Sequence, residues 1–351
     1  MGPFLPLRLP PDRQSVLPWA WLDSKFVTID LSATTILLTG GTGSFGNAFV
    51  ERVLNTWPGA VIRVFSRDEL KQSEMRARFG DKQVRYLVGD VRDKDRIYRA
   101  AQGADIVIHA AAMKQVPACE YNPFEAVRTN VLGAQNVVDS AIDAGVPKVL
   151  ALSPDKAVNP VNLYGATKLC AEKIFVQGNA YAAQSPTRMA CVRYGNVVGS
   201  RGSVIPLFRA QASEEGRLTI TDERMTRFWI SLDQAVDVVL YGLEHMSGGE
   251  IFVPKIPSMR VVDLAEAMAP GVPREITGIR AGEKLHEILL TADESRHTVD
   301  AGDAYVILPE HPWWFDYPKW EAGVAPPDGF IYSSDGNDSW VTTEQLPDLL
   351  K

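Results

Sequence analysis

The stretch Thr35-Ile-Leu-Leu-Thr-Gly40-Gly-Thr-Gly-Ser-Phe-Gly46 decides how this chain is read. Thr35 to Thr39 make a short apolar strand, the glycines turn the chain, and a helical stretch runs on through Phe49-Val-Glu-Arg-Val-Leu54. Glycines 40, 43 and 46 leave the backbone bare where strand passes to helix, so a pyrophosphate can approach the helix N-terminus. Read from Gly41, the run also satisfies Gly-x-Gly-x-x-Gly. Glycine turns that merely connect elements are common, and it is the strand before and the helix after that give this one its meaning.

Outward from that turn the alternation repeats. Strands are expected at Val61 to Phe65, Val84 to Val88, Asp105 to His109, Lys148 to Leu152 and Arg188 to Arg193. Helices are expected near 69 to 79, 93 to 101, Phe124 to Ala144 and Leu163 to about Ala182. This order predicts an α/β fold with a doubly wound parallel sheet of Rossmann type. After Gly199 the pattern breaks into short pieces, such as a strand at Leu218 to Thr221 and a helix from about Leu232 to His245, and the end is rich in proline. The expected organisation is therefore an irregular arm at 1–32, docked through Trp19 and Trp21, and a nucleotide-binding domain at 33–200 to which 226–257 return. A smaller C-terminal substrate domain takes 201–225 and 258–351.

Composition narrows the class. The 351 residues are 46% hydrophobic and 23% charged, ordinary values for a globular chain with a sizeable core. Thirty-six basic against 43 acidic side chains leave a net charge of −7, the wrong sign for holding nucleic acid along a surface. No apolar run is long enough for a bilayer, and the first residues lack the pattern of a secretory signal. Cys119, Cys170 and Cys191 are odd in number and far apart, so neither disulfides nor zinc are suggested, and a reducing cytoplasmic setting is expected. The five histidines show no metal spacing and no metal is expected. His109, ending a strand, reads as a core residue, and His286 as a polar group on a helix face.

The second strand ends Phe65-Ser66-Arg67-Asp68, where a carboxylate would hold the 2′-hydroxyl of NAD and a cation the 2′-phosphate of NADP. Ser66 stands where an acid would be expected, and Arg67 and Lys71 suit the phosphate, so NADP is favoured; Asp68 keeps NAD open. Asp90, within Gly89-Asp-Val-Arg-Asp93, either faces the adenine amine or caps the following helix. Tyr164 and Lys168 lie four apart, on one helix face. A phenol with a pKa near 10 is a poor base, but an ammonium alongside and a cationic nicotinamide above would favour its phenolate. Tyr164 could then remove a hydroxyl proton as hydride leaves the same carbon.

With those residues in view the chain resembles the extended short-chain dehydrogenases/reductases that act on nucleotide sugars, from about Thr34 onward. Finer motifs narrow the resemblance: Phe65-Ser-Arg-Asp-Glu-Leu-Lys-Gln72, His109-Ala-Ala-Ala-Met-Lys-Gln-Val-Pro117, Asp155-Lys156 followed by Asn159-Pro160 and Asn162-Leu-Tyr-Gly-Ala-Thr-Lys168, Val192-Arg-Tyr-Gly-Asn-Val-Val-Gly-Ser-Arg-Gly202, Met225-Thr-Arg-Phe-Trp-Ile230 and Gly282-Glu-Lys-Leu-His-Glu287. Together they are similar to the inverting UDP-N-acetylglucosamine 4,6-dehydratases of pseudaminic-acid-type polysaccharide pathways. The resemblance implies NADP as cofactor, a homo-oligomer, and UDP-N-acetylglucosamine as substrate. The product would be UDP-2-acetamido-2,6-dideoxy-β-L-arabino-hex-4-ulose, with C5 inverted.

The chemistry behind that expectation lies in Asp155-Lys156. Oxidation at C4 acidifies the C5 proton, and elimination then needs a base near C5 and an acid near O6. Lys156, when neutral, would be the base, and Asp155, its pKa raised by burial, the acid. Retaining relatives carry Asp-Glu here, so lysine implies the inverting branch. The plainer reading is a structural Asp-Lys pair in a loop. By resemblance, Thr42, Ser44 and Phe45 would line the pyrophosphate with Gly40, Gly43 and Gly46, Asp90 and Val91 would meet the adenine, Ala110 and Ala112 would leave room for the nicotinamide ribose, and Lys114 would reach cofactor or sugar. Asn196, Arg227 and Arg280 would hold UDP, guanidiniums suiting a diphosphate. One departure stands out. The resembling family reads Ser-Thr-Asp-Lys, its Thr bonding the C4 oxygen, whereas this chain reads Ser153-Pro154-Asp155-Lys156. The rivals are a retaining UDP-sugar 4,6-dehydratase or 4-epimerase and, in another class, an NADP-binding regulatory protein whose chemistry has decayed.

Overall fold

A computed structural model describes residues 28–182, 184–200, 203–311, 320, 323–342 and 345–346; the N-terminal arm up to residue 27, with Trp19 and Trp21, lies outside them. The predicted parallel strands form as β1 (Thr35–Thr39), β2 (Val61–Ser66), β3 (Val84–Val88), β4 (Ile106–His109), β5 (Lys148–Pro154) and β6 (Arg188–Tyr194). They lie in the order β3-β2-β1-β4-β5-β6, all parallel, with Ile36 opposite both Ile62 and Ile106. This is the doubly wound Rossmann order. Three later strands widen the sheet to nine: Ile251–Pro254 pairs parallel with β6, and Ala304–Ile307 and Thr298–Asp300 follow antiparallel at that edge.

The helices that connect these six strands are α1 (Ser44–Thr56), α2 (Glu69–Phe79), α3 (Lys94–Ala101), α4 (Val116–Tyr121), α5 (Pro123–Val127), α6 (Gly133–Asp143) and α7 (Leu163–Ala182). Two of them start at side-chain caps: Asp68 accepts from the Lys71 N–H and Asp93 from the Arg96 N–H, satisfying orphan donors of α2 and α3. Gly80, at φ +71, ends α2 where a side chain would be strained. The single helix expected over 124–144 is instead α5, a π-helical turn at Arg128–Leu132, and α6. Asn130 sits in that turn and binds both the N–H and the carbonyl of Met113 at 2.8 and 2.9 Å, a tertiary demand that residue periodicity does not carry.

Ile36, Leu38, Phe49, Val107, Leu150 and Val192 are fully enclosed in the main core, each contributing roughly 1.5–3 kcal/mol by burial. A separate apolar cluster gathers Ile205, Phe208, Leu218, Met225, Trp229 and Leu264 around the short strands Leu218–Ile220 and Thr226–Ile230. The helix Leu232–His245 packs back on α1, joined by the Arg52 to Asp237 ion pair at 2.6 Å. Inside the molecule Arg193, with no exposed surface, bridges Glu172 of α7 and Glu294 near Leu290, tying sheet to helix and to the C-terminal segment. Among the described residues no helix is long and apolar enough to cross a membrane.

Candidate active site

The strand order reverses between β1 and β4, and ligands of open α/β sheets bind in the crevice at the carboxyl ends beside that point. A cavity of about 1260 Å³ opens there and reaches the second apolar cluster at Phe208, Met225 and Trp229. All the residues assigned above to cofactor, substrate or chemistry line it, from Gly40 at one end to Arg280 at the other.

At the nucleotide end Gly40 has φ +67, and a Cβ there would stand 2.7 Å from the Ala111 nitrogen. A Cβ on Gly46 would come within 2.1 Å of the Gly41 carbonyl oxygen. Helix α1 begins at Ser44 with Gly43 as its cap, so no side chain covers the first turn. Bare backbone at a helix N-terminus suits a pyrophosphate, and the loop therefore fits a dinucleotide. Thr42 Oγ1 donates to Ser66 Oγ at 3.1 Å, and Ser66 Oγ also accepts from the Asp68 N–H at 3.2 Å, so the serine braces the turn. Lys71 pairs with Asp68 at 2.6 Å. Asp90 accepts from Arg92 at 2.6 Å, with Arg67 at 3.6 Å; burial works to raise its carboxyl, but Arg92 outweighs it and holds the pKa below the usual range. The cap of α3 is Asp93, not Asp90. Val91 is buried and its carbonyl accepts from Asn136, while Ala110 and Ala112 line the wall without bulk.

At the chemical end β5 delivers Asp155 and Lys156 into a 3₁₀ turn, Asp155–Ala157, followed by Asn159 at φ +44. That turn lets neighbouring side chains meet. Lys156 Nζ stands 3.0 Å from Asp155 Oδ1, 3.3 Å from Asn196 Oδ1 and 3.6 Å from Glu287 Oε1. Asp155 is 1% exposed, and its Oδ2 has no hydrogen-bond partner. Burial pushes its carboxyl pKa up, with Lys156 opposing and Glu287 reinforcing. Burial alone would lower the Lys156 ammonium, but Asp155 and Glu287 outweigh it and hold it above its ordinary value. Lys114 is lowered, by burial and then by the charge of Lys156.

Several expectations are corrected here. Lys168 does not bring the Tyr164 phenol down: burial, then Asp155, pushes it up, while the Lys168 ammonium, itself lowered by burial, donates to the Leu152 carbonyl at 2.9 Å. Tyr164 packs with Cys119 and Ala126, an apolar setting that disfavours phenolate. His286 is not on a helix, because Gly282, at φ +78, opens a run of turns; it meets Thr226 Oγ1 at 2.8 Å instead. Arg227 is 8% exposed at the cavity wall and gives three of its five N–H groups to the carbonyls of Thr226, Lys284 and Leu285 at 2.7 to 3.1 Å. Asn196 turns its amide oxygen to Lys156, and Arg280 is largely exposed at the cavity wall, 3.9 Å from Glu283. His109 is a core residue as expected, 2.8 Å from Thr39 Oγ1, its pKa brought down to about 3 by burial and then Lys168. Among the described residues no cluster could hold a metal ion.

Glu287 and Lys284 escaped the sequence reading as functional groups, although both lie in the quoted run Gly282 to Glu287. An acid closing that run was the signal available. Pro154 ends β5 opposite Tyr194, in extended conformation at φ −89 and ψ 163, and it lines the cavity. Ser153 beside it is buried, its Oγ without a partner.

Residues 36–309 match the family described as "Polysaccharide biosynthesis protein". A Campylobacter jejuni protein named UDP-N-acetylglucosamine 4,6-dehydratase (inverting) is 51% identical over 324 residues, covering 90% of this chain and 96% of that one. A Rickettsia felis protein named UDP-glucose 4-epimerase is 46% identical over 280 residues, covering 78% and 82%. The crystal structure of Pen from Bacillus thuringiensis superposes with a TM-score of 0.83 at 38% identity, covering 92% of this chain and 99% of that one.

Proposed function

This chain belongs to the polysaccharide biosynthesis protein family of extended short-chain dehydrogenases/reductases, and we propose that it is an inverting UDP-N-acetylglucosamine 4,6-dehydratase working with NADP. The observation that carries the reading is the contact of Asp155 and Lys156, at 3.0 Å, on the wall of the cavity that also holds the glycine turn and Tyr164. One proton moved from Nζ to Oδ1 across that hydrogen bond turns an ammonium and a carboxylate into an amine and a carboxylic acid. The elimination needs that combination, a base and an acid generated together without exchange with solvent.

A bound nicotinamide would accept a hydride and give it back, so no external reductant is consumed. The chain's own residues do the rest. Tyr164 takes the C4 hydroxyl proton, Lys156 takes the C5 proton, and Asp155 protonates the departing C6 hydroxyl, which leaves as water. Burial raises the Tyr164 phenol, and an oxidised nicotinamide bound beside it would supply positive charge that favours phenolate. NADP is supported at the ribose end by Arg67, 58% exposed beside the cavity, while Asp68 is engaged by Lys71 and by the cap of α2 and Asp90 by Arg92. A homo-oligomer in the cytoplasm is part of the same proposal.

The epimerase name of the Rickettsia relative favours a second reading, interconversion at C4 alone. Incubation with UDP-N-acetylglucosamine in D₂O, followed by mass spectrometry and proton NMR, separates the two. Loss of water with deuterium at C5 on an L-configured ring is expected. A C4 epimer with no deuterium at C5 would replace the proposal, and unchanged sugar with cofactor bound would favour a decayed site.

A further inference from the structure

The Lys156 amine has three acceptors around it, and the one contributed from the far end of the chain has no assigned role. Resting on the dehydratase reading, we propose that Glu287 is a positioning residue for the C5 proton transfer: its carboxylate holds the Lys156 amine at the cavity wall and stabilises the charge that the amine gains.

The placement is specific. Glu287 is 2% exposed and immediately precedes the strand Ile288–Leu290, which packs against the 155–157 turn. Its backbone is pinned on both sides by Ser334, whose Oγ accepts from the Glu287 N–H at 2.9 Å and whose N–H donates to the Glu287 carbonyl at 2.8 Å. Oε1 stands 3.6 Å from Lys156 Nζ and 3.8 Å from Arg227 Nε, and Oε2 stands 3.5 Å from Lys284 Nζ. A buried carboxylate is costly unless cations meet it, and here three do. Burial works to neutralise Glu287, but the charges of Lys156, Arg227 and Lys284 outweigh it and keep the carboxyl ionised, below its ordinary pKa.

The exposures explain why this is more than a structural knot. Side-chain exposure is 3% for Glu287, 10% for Arg227 and 11% for Lys284, but 29% for Lys156, which lines the cavity, so the network meets the cavity chiefly through the Lys156 side chain. Arg227 and Lys284 are tied down by backbone carbonyls, Arg227 by those of Thr226, Lys284 and Leu285, and Lys284 by that of Val158. Glu287 therefore has a fixed position from which to act on Lys156, the most exposed of its three cationic partners. In the elimination the C5–H bond breaks and an N–H bond forms on Lys156. The C5–H electrons become the C5–C6 double bond, and the C6–O bond breaks as oxygen takes the Asp155 proton. The amine passes from neutral to cationic in that step, and a carboxylate 3.6 Å away favours the change. The charged groups facing Lys156 are Asp155, Glu287, Arg227 and Lys114, with Tyr164 facing Asp155.

Two variants and two readouts test this. In Glu287→Gln, kcat for water loss should fall about tenfold to a hundredfold while KM changes little, and the rising limb of kcat against pH should move to lower pH. In the substrate-free protein, acylation of Lys156 followed by mass spectrometry across pH should report the same downward move of its midpoint. Lys284→Gln, which leaves Glu287 less compensated, should move that midpoint upward, and it serves if Glu287→Gln does not fold. Wild-type kcat and an unmoved limb in Glu287→Gln, or a midpoint unmoved by either substitution, would overturn the role of Glu287. A wild-type protein that binds but never dehydrates the sugar would instead overturn the underlying reading, while the acylation profiles still judge the tie between Glu287 and Lys156.

Discussion

Replacing Pro154 by threonine should make this protein faster. Pro154 lies at φ −89 and ψ 163, an extended conformation that a β-branched residue adopts without strain, and it lines the cavity one residue before Asp155. Threonine there adds a hydroxyl where proline offers no donor at all. A hydrogen bond to an oxygen whose charge changes during C4 oxidation contributes about 1–3 kcal/mol. At 1.36 kcal/mol per factor of ten, kcat should rise about tenfold to a hundredfold. Pro154→Val is the control, since it removes the ring and keeps the branched shape but brings no hydroxyl. Initial rates of water loss from UDP-N-acetylglucosamine, followed by proton NMR with thermal melting alongside, give the comparison. Equal gains in the Thr and Val variants would place the effect in the loss of the ring. A Thr variant that melts like the wild type and gains nothing would refute the argument, and the donor to the C4 oxygen would have to be sought at Ser153 or Lys114.

Gly46→Ala should lose cofactor affinity by at least about tenfold, because its Cβ would come within 2.1 Å of the Gly41 oxygen and the loop must move to relieve the overlap; wild-type affinity for NADP by calorimetry would contradict this. Glu172→Gln strands the enclosed Arg193 charge beside one remaining carboxylate, and about 3–5 kcal/mol of stability should be lost in urea melts. The folded pKa of His109 lies near 3, below its unfolded value of 6.5, so its contribution to stability is complete above pH 6.5 and is lost as pH falls from there toward 3. Wild-type stability should therefore drop by up to about 1.4 kcal/mol per pH unit on this account below 6.5. A His109→Gln variant should lack that component, which melts at pH 7 and pH 5 would reveal.

Much of the site was legible because its parts are local. The glycine turn, the Tyr164 and Lys168 pair and the Asp155-Lys156 pair each sit within a few residues, and their meaning follows from the element that carries them. The caps at Asp68 and Asp93 are equally local, and they explain where α2 and α3 begin. Less legible is which of these groups the protein itself already engages. Arg227 and Asn196 both line the cavity, but three N–H groups of the first are given to backbone carbonyls and the amide oxygen of the second to Lys156. The phenol of Tyr164 was weighed against a nearby charge, and burial, which depends on residues from α4 and α5, proved the stronger influence.

The sequence by itself determined the order of strands and helices, the glycine turn, the residue types able to do the chemistry and the anomaly at Pro154, because periodicity, turn chemistry and short spacings are properties of contiguous residues. Only the tertiary structure decided that Glu287 stands against Lys156, residues 131 positions apart. It also decided that Arg193 is enclosed by Glu172 and Glu294, and that Asn130 opens a π-helical turn to serve Met113. Each of these is an interaction between distant segments whose strength comes from exclusion of water, and that exclusion exists only once the segments have packed together.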